Sequence, residues 1–437
     1  MSKPTISIMW FRRDLRLDDN AALYYALRSG DAVLPIFIFD KNILDDLEDK
    51  HDRRIQFIYS ALLEMQATLE KHKSSIEVYY GAPLAVYESL LEKYAIKTVY
   101  ANEDYEQYAI NRDNEISKLL RRHNGELKLY KDQVIFSKDE VVKQNGQPYT
   151  VFTPYSKAWK ALLTSFYLKS YPTEQYFNRF YKQAPVHFPS LKSMGFEESK
   201  EPFPPKEIQH DVLCHYGDTR NFPSLENGTS RLGVHLRFGT VSIRKVATAA
   251  YKSNAVFLNE LIWRDFYQMV LWQSDRVRKG QSFKPAFDNI VWRNNEEEFQ
   301  RWCTGNTGYP IVDAGMRQLN TTGYMHNRVR MITASFLSKH LLIDWRWGEA
   351  YFAKKLLDYD YAANNGGWQW SAGTGCDASP YFRVFNPTLQ TQKFDKQLAY
   401  IKHWVPEYQS LQYQPMVNHE MARQRALKAY KQALGRD

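Results

Sequence analysis

Residues able to do chemistry crowd into the stretch from Thr322 to Asp395. It holds a carboxylate pair (Asp358, Asp360), arginines that include Arg328, Arg330 and Arg383, an Asn-Asn-Gly-Gly run from Asn364 and tryptophans that include Trp345, Trp368 and Trp370. Each buried polar group needs a partner, so this mixture of polar and aromatic groups suits a large, flat, partly charged ligand better than a plain core. Upstream, NELIWRDFYQ (259–268) sets Glu260 and Trp263 three apart, where a helix aims both into one cavity, with Arg264 and Tyr267 on adjacent faces. A carboxylate beside an indole fits a flat hydrogen-bonding ligand such as a base; a solvated amphipathic helix explains the spacing equally well.

In MHNRVRM (325–331), Asn327 and Met331 are four apart and share a face, and Arg330 is able to pair with Asp358. The loop GTSRLGVHLRFGTVS (228–242) gathers hydroxyls, backbone donors and Arg231 just before a helix, an arrangement that holds a diphosphate. Taken alone, that loop is more simply a helix cap and a turn. Trp368 and Trp370 are two apart, so a helix points them different ways and gives them different jobs. The Asn-Asn-Gly-Gly run reads as a turn opening that helix. Trp292 and Trp345, by themselves, read as core.

These residues need elements to hold them. Residues 5–11, 33–39, 76–80 and 97–101 are short β-rich apolar runs alternating with helical patterns from Asn20, Arg53 and Pro83. Alternation predicts a parallel sheet flanked by helices over residues 1–130. Pro83 starts a helix and Gly30 ends one. No GxGxxG follows the first strand and no GxxxxGK[ST] occurs, so the common dinucleotide and nucleoside-triphosphate readings lose their best support. Residues 131–205 read as a long connector, with PVHFPSLKSMGFEESKEPFPPKE as an exposed interdomain linker. From 206 to 437 helical periodicity recurs, ending in a basic helix, HEMARQRALKAYKQALGRD; an all-α domain is expected there.

The 437 residues carry 58 Lys plus Arg against 49 acidic residues, a net +9 that tilts towards a polyanionic partner and no more. Cys214, Cys303 and Cys376 are far apart with no CxxC, which argues against a disulfide framework or a metal site and fits a reducing cytoplasm. The first apolar run is too short for a signal peptide, and no segment is expected to enter a membrane.

From FRRDLRLDDNAAL (11–23) through QKFD (392–395), with AANNGGWQWSAGTGCDASPYFRVFNP between, the chain resembles the photolyase/cryptochrome family, closest to its class I cyclobutane pyrimidine dimer photolyase branch. The resemblance implies an N-terminal antenna domain, a helical domain enclosing FAD, and a carbon–carbon lyase acting on UV-damaged DNA. Reduced anionic FAD would pass an electron to a flipped-out dimer and recover it after ring splitting.

Carried over position by position, Tyr216, Thr229, Ser230, Arg231, Leu232, Phe257, Asp358, Tyr359 and Asp360 become flavin contacts, with Arg330 paired to Asp358. Asn364 would face flavin N5 and favour the reduced cofactor. Glu260, Trp263, Asn327, Arg328, Met331 and Trp370 match the lesion pocket, with Arg264 beside it on the helix. Trp368, Trp345 and Trp292 match a photoreduction relay, and Arg383 and Lys393 are taken as phosphate contacts.

The chain departs from the family in reading SRLG at the phosphate loop, where Gly233 brings no hydroxyl. It also has Tyr108 and Ala109 where folate-binding relatives carry Asn-Glu. A second antenna chromophore is thus of open identity. A monomer without an obligate protein partner, in a bacterial-type cytoplasm, is expected. The rival is a signalling cryptochrome, against which the short stretch after the helical domain counts; a DASH-type protein is less suited because Trp370 is present.

Overall fold

The structure, a computed structural model, describes residues 3–410 and 413–435. It divides into two compact units, each discontinuous in sequence: Met1–Ser137 with Leu163–Glu207 and Leu232–Ala249, and Lys138–Leu162 with Ile208–Arg231 and Ala250–Asp437.

The first unit is built on a parallel sheet of β1 (Thr5–Phe11), β2 (Val33–Asp40), β3 (Glu77–Gly81), β4 (Ala95–Asn102) and β5 (Glu126–Tyr130), in the order β3-β2-β1-β4-β5. β2 is buried along its length and β1 everywhere but Thr5, which is why both read as unbroken apolar runs. Helices Ala21–Arg28, Arg53–Lys71, Pro83–Lys93 and Gln107–Arg122 make the crossovers. Asn20 caps the first by accepting from the Leu23 amide, Pro83 occupies the start of the third, and Gly30 turns the chain at φ 91°. The apolar runs do not announce β5: ELKLY lies on the sheet edge, where charged, exposed residues are favoured.

The polar residues of Phe11–Leu23 enter a buried network. Arg16 meets Asp132 at 2.6 Å, and Arg244 meets Asp19 at 2.8 Å and Asp132 at 2.7 Å. The expected connector also takes on structure. Phe177, Phe180, Leu191, Met194 and Phe196 are buried, so apolar residues spaced between the prolines anchor the stretch expected as an exposed linker. Residues 152–162 form a helix that buries Tyr155 and Trp159.

The second unit is helical. Its core gathers Trp302, Val329, Phe336, Trp345, Phe352 and Trp368, with Trp292 packed partly buried against them. The helix expected over 325–344 is Asn327–Ser335, followed by a wide turn at Phe336–His340 with i→i+5 character. The Asn-Asn-Gly-Gly run does not open a helix but lies within Tyr361–Ala372, capped by Asp360, which accepts from the Ala363 amide at 3.1 Å. Gly366 serves close packing there: a Cβ would stand 2.3 Å from the Tyr267 ring. The basic terminal helix is His419–Ala433; Arg436 and Asp437 lie outside the described residues. Among the described residues no helix is long and apolar enough to cross a membrane.

Candidate functional site

In the second unit, the loop before Arg231 and the turn before Asn327 come together. Thr229 Oγ1 and the Tyr324 hydroxyl are 3.2 Å apart, and the Arg231 guanidinium sits 5.2 Å from the Tyr324 ring centroid. Arg231 adopts φ 51°, a left-handed conformation rare for a residue with a side chain. Arg330 bonds both Asp358 oxygens, at 2.9 and 3.1 Å, and the Met325 carbonyl at 2.7 Å. Tyr216 meets Phe257 edge-on with centroids 4.9 Å apart. Ser230 is half-buried; Leu232 is buried and belongs to the other compact unit.

His326 marks the centre of this cluster. Its Nδ1 accepts the Arg328 amide at 3.1 Å, which leaves the proton on Nε2. Nε2 is buried with no partner among the described residues. Burial and the charges of Arg330, Arg328, Arg220 and Arg231 lower its pKa to about 4. The imidazole is neutral at pH 7 chiefly because it is buried, and the charges of the four arginines add to that; their positive field suits an anion.

Along the Tyr361–Ala372 helix, Asp360 accepts Gln268 Nε2 at 3.1 and 3.2 Å. Asn364 Nδ2 donates to the Glu349 carbonyl at 3.1 Å and to its Oε1 at 2.8 Å. Tyr359 packs partly buried on the central core. A Cβ on Gly348 would stand 2.1 Å from the Trp368 ring, and Trp345 is one turn earlier on the same helix, so the two indoles occupy neighbouring parts of one core. Both indole N–H groups are buried without a partner among the described residues. Trp292, half-buried, has the Tyr430 ring 6.1 Å away.

A second face joins Glu260, Arg328 and the helix Pro387–Phe394. Glu260 pairs with Arg220; burial raises its pKa, and the charges of Arg220 and Arg328 act against that rise. Arg328 bonds Asn221 Oδ1 at 2.6 Å, approaches Met331 Sδ at 3.6 Å and lies 4.3 Å from the Phe394 ring centroid. Lys393 covers the same ring at 5.4 Å. Asn327 is exposed, and Trp370 and Arg264 are half-buried. Trp263 stacks on Phe152 with centroids 3.7 Å apart and planes 2° apart, which leaves one indole face for any ligand. Arg383 is exposed, and its carbonyl accepts Lys339 Nζ at 2.9 Å.

Arg220, Phe152, Tyr324, Gln268, Glu349 and Lys339 escape sequence reasoning. Most stand far along the chain from the residues they serve, as Phe152 does from Trp263, and no motif marks them.

Comparison with known proteins decides the family. Residues 7–175 match the DNA photolyase model, and residues 257–436 match the model for the FAD binding domain of DNA photolyase. The deoxyribodipyrimidine photo-lyase of Vibrio cholerae is 36% identical over 98% of this chain and 100% of its own length. The chain belongs to the DNA photolyase family.

Solved photolyases share its fold. A bacterial class III photolyase from Agrobacterium tumefaciens aligns with TM-score 0.86 and 30% identity, covering 100% of this chain and 99% of that one. An archaeal photolyase from Sulfolobus tokodaii, solved with two FAD molecules, aligns at 0.82 and 35%, covering 98% and 100%. The α/β unit with its parallel sheet and the helical FAD-binding unit are those of photolyases. The residues of this photolyase fit FAD: four guanidinium groups and the unpartnered His326 N–H suit a diphosphate. Arg330, Asp358, Asp360 and Asn364 offer a polar edge for a flavin, and a Cβ on Gly367 would meet nothing within 4 Å.

Proposed function

We propose that this photolyase splits cyclobutane pyrimidine dimers in UV-damaged DNA under blue light, as a cytoplasmic monomer, with residues 206–437 holding both FAD and lesion and residues 1–130 as the antenna-type domain. FAD, when bound and reduced, supplies the photoexcited electron that ring splitting needs. The protein's residues bind, orient and exclude water. Arg231, Thr229 and Ser230, with Leu232, Tyr216 and Phe257, hold the cofactor's phosphates and flanks, while Asp358, Tyr359, Asp360 and Asn364 contact its polar edge. Trp292, Trp345 and Trp368 carry electrons inward from the surface. Glu260 accepts a base N–H, Trp263 and Trp370 offer indole faces to a flipped base, and Arg264, Arg328, Arg383 and Lys393 meet phosphates. A flipped dimer costs less to extrude than an intact pair, and aromatic stacking offsets the rest.

What supports this reading is the chemistry of two side chains, Asn327 and Met331. Neither Asn327 nor Met331 carries a proton that titrates near pH 7, and the adjacent imidazole of His326 has a pKa of about 4 with Nδ1 already engaged. Cyclobutane splitting needs an electron and no obligatory proton, whereas (6-4) repair in this family uses a histidine pair. The test is a paired assay: reduced protein, blue light, and oligonucleotides carrying either lesion. The cyclobutane substrate is expected to be restored and the (6-4) substrate left intact; equal turnover of both overturns the assignment.

A further inference from the structure

Lys339 is 1% exposed, yet among the described residues no carboxylate lies within ion-pair distance of it. Its neighbours Ser338 and His340 are fully buried. Among the described residues its Nζ donates to one acceptor, the backbone carbonyl of Arg383, at 2.9 Å. Burial and the Arg383 charge lower its pKa to about 7. An ammonium held inside protein without a counter-ion is costly, and an apolar side chain of the same length fills the space without that cost. Packing therefore does not account for a lysine. What the lysine adds is a donor at one point of the segment between the helices Tyr361–Ala372 and Pro387–Phe394.

That segment is anchored on either side, where Tyr381 stacks on Tyr430 with centroids 5.8 Å apart and Phe385 packs on the central core, and lies open between them. Arg383 N bonds the Pro380 carbonyl at 2.8 Å, Phe382 is 61% exposed, and the Arg383 side chain is exposed. Lys339 comes from the wide turn Phe336–His340, whose extra residue per turn changes which side chains point inward; such turns recur at functional sites.

We infer that Lys339 is a positioning residue: by holding the Arg383 carbonyl from beneath, it sets the peptide that presents the Arg383 guanidinium to a phosphate of damaged DNA. The inference rests on the reading of Arg383 as a phosphate contact. A guanidinium offered from a fixed peptide loses less freedom on binding than one offered from a mobile loop.

The experiment is a double-mutant cycle on the FAD-loaded protein with Lys339→Met and Arg383→Ala, measuring affinity for dimer-containing duplex across a salt series. Loss of one phosphate contact lowers the slope of log K against log salt by about 0.9. Arg383→Ala is expected to show that loss, Lys339→Met most of it, and the double variant no more than Arg383→Ala alone. Thermal stability and FAD content of Lys339→Met are expected to match or exceed those of the parent, because a buried charge is replaced by an apolar side chain of similar volume. An unchanged slope in Arg383→Ala removes the phosphate reading itself. A normal Arg383→Ala loss beside unaltered binding by Lys339→Met overturns the positioning role alone. Additive losses, or a Lys339→Met protein that fails to fold, make Lys339 a structural residue and overturn it as well.

Discussion

The side-chain amide of Asn364 donates both its hydrogens to Glu349, one to the backbone carbonyl at 3.1 Å and one to Oε1 at 2.8 Å. With Nδ2 fully used, Oδ1 is the atom left for a ligand, so Glu349 decides which end of the amide is presented. On the proposed reading, that end accepts a proton-bearing flavin nitrogen and favours the reduced cofactor. Glu349→Ala removes the Oε1 acceptor and keeps the backbone carbonyl, so the amide is held by one bond instead of two. Loss of one oriented hydrogen bond is worth about 1 kcal/mol, so reduced flavin is expected to reoxidise in air about five-fold faster. Absorbance at flavin wavelengths after photoreduction reads this directly, and a rate equal to the parent's removes Glu349 from the role.

Trp345→Phe is expected to stop light-driven reduction of oxidised FAD while leaving repair by chemically reduced protein intact. Trp345 shares a core with Trp368, its N–H has no hydrogen-bond partner among the described residues, and a phenyl ring fills most of the same volume. If the pre-reduced variant is also inactive, Trp345 serves the fold and not the relay.

Trp370→Ala is expected to weaken binding to damaged DNA by roughly 1–3 kcal/mol, the worth of one base–aromatic stack. Binding to intact duplex, governed by phosphate contacts, should stay near the parent value. Equal losses on both DNAs point to a disturbed helix, which circular dichroism detects.

Acidification tests Glu260. Its folded pKa lies above the ordinary glutamate value because it is buried, with the charges of Arg220 and Arg328 limiting the rise. The sign follows: with the folded value above the unfolded one, this group adds stability as pH falls through that folded value and loses it as pH rises. Its acceptor function runs the other way, since protonation removes the carboxylate that would take a base N–H and releases Arg220. Affinity for dimer-containing DNA is therefore expected to fall as pH drops, starting above the range where exposed glutamates titrate. Glu260→Gln should bind more weakly near neutrality and show a flatter profile. A parent-like profile in the variant assigns the pH dependence to another group.

By itself the sequence determined the two kinds of architecture and nominated the residues of the candidate site. β1 and β2 are apolar throughout because both faces of a parallel sheet are covered, and that pattern is local. The helices carrying Glu260, Asn327 and Trp368 follow from period and capping, which are local too. Only the tertiary structure decided what each group is joined to. Arg220 reaches Glu260 from forty positions away, Phe152 covers one face of Trp263, Glu349 orients Asn364, and Lys339 holds Arg383. It also placed Asn-Asn-Gly-Gly inside a helix, where Gly366 leaves room for the Tyr267 ring. Those pairings depend on which surfaces meet after folding. Spacing along a chain records the period of one helix and carries no information about the helix packed against it.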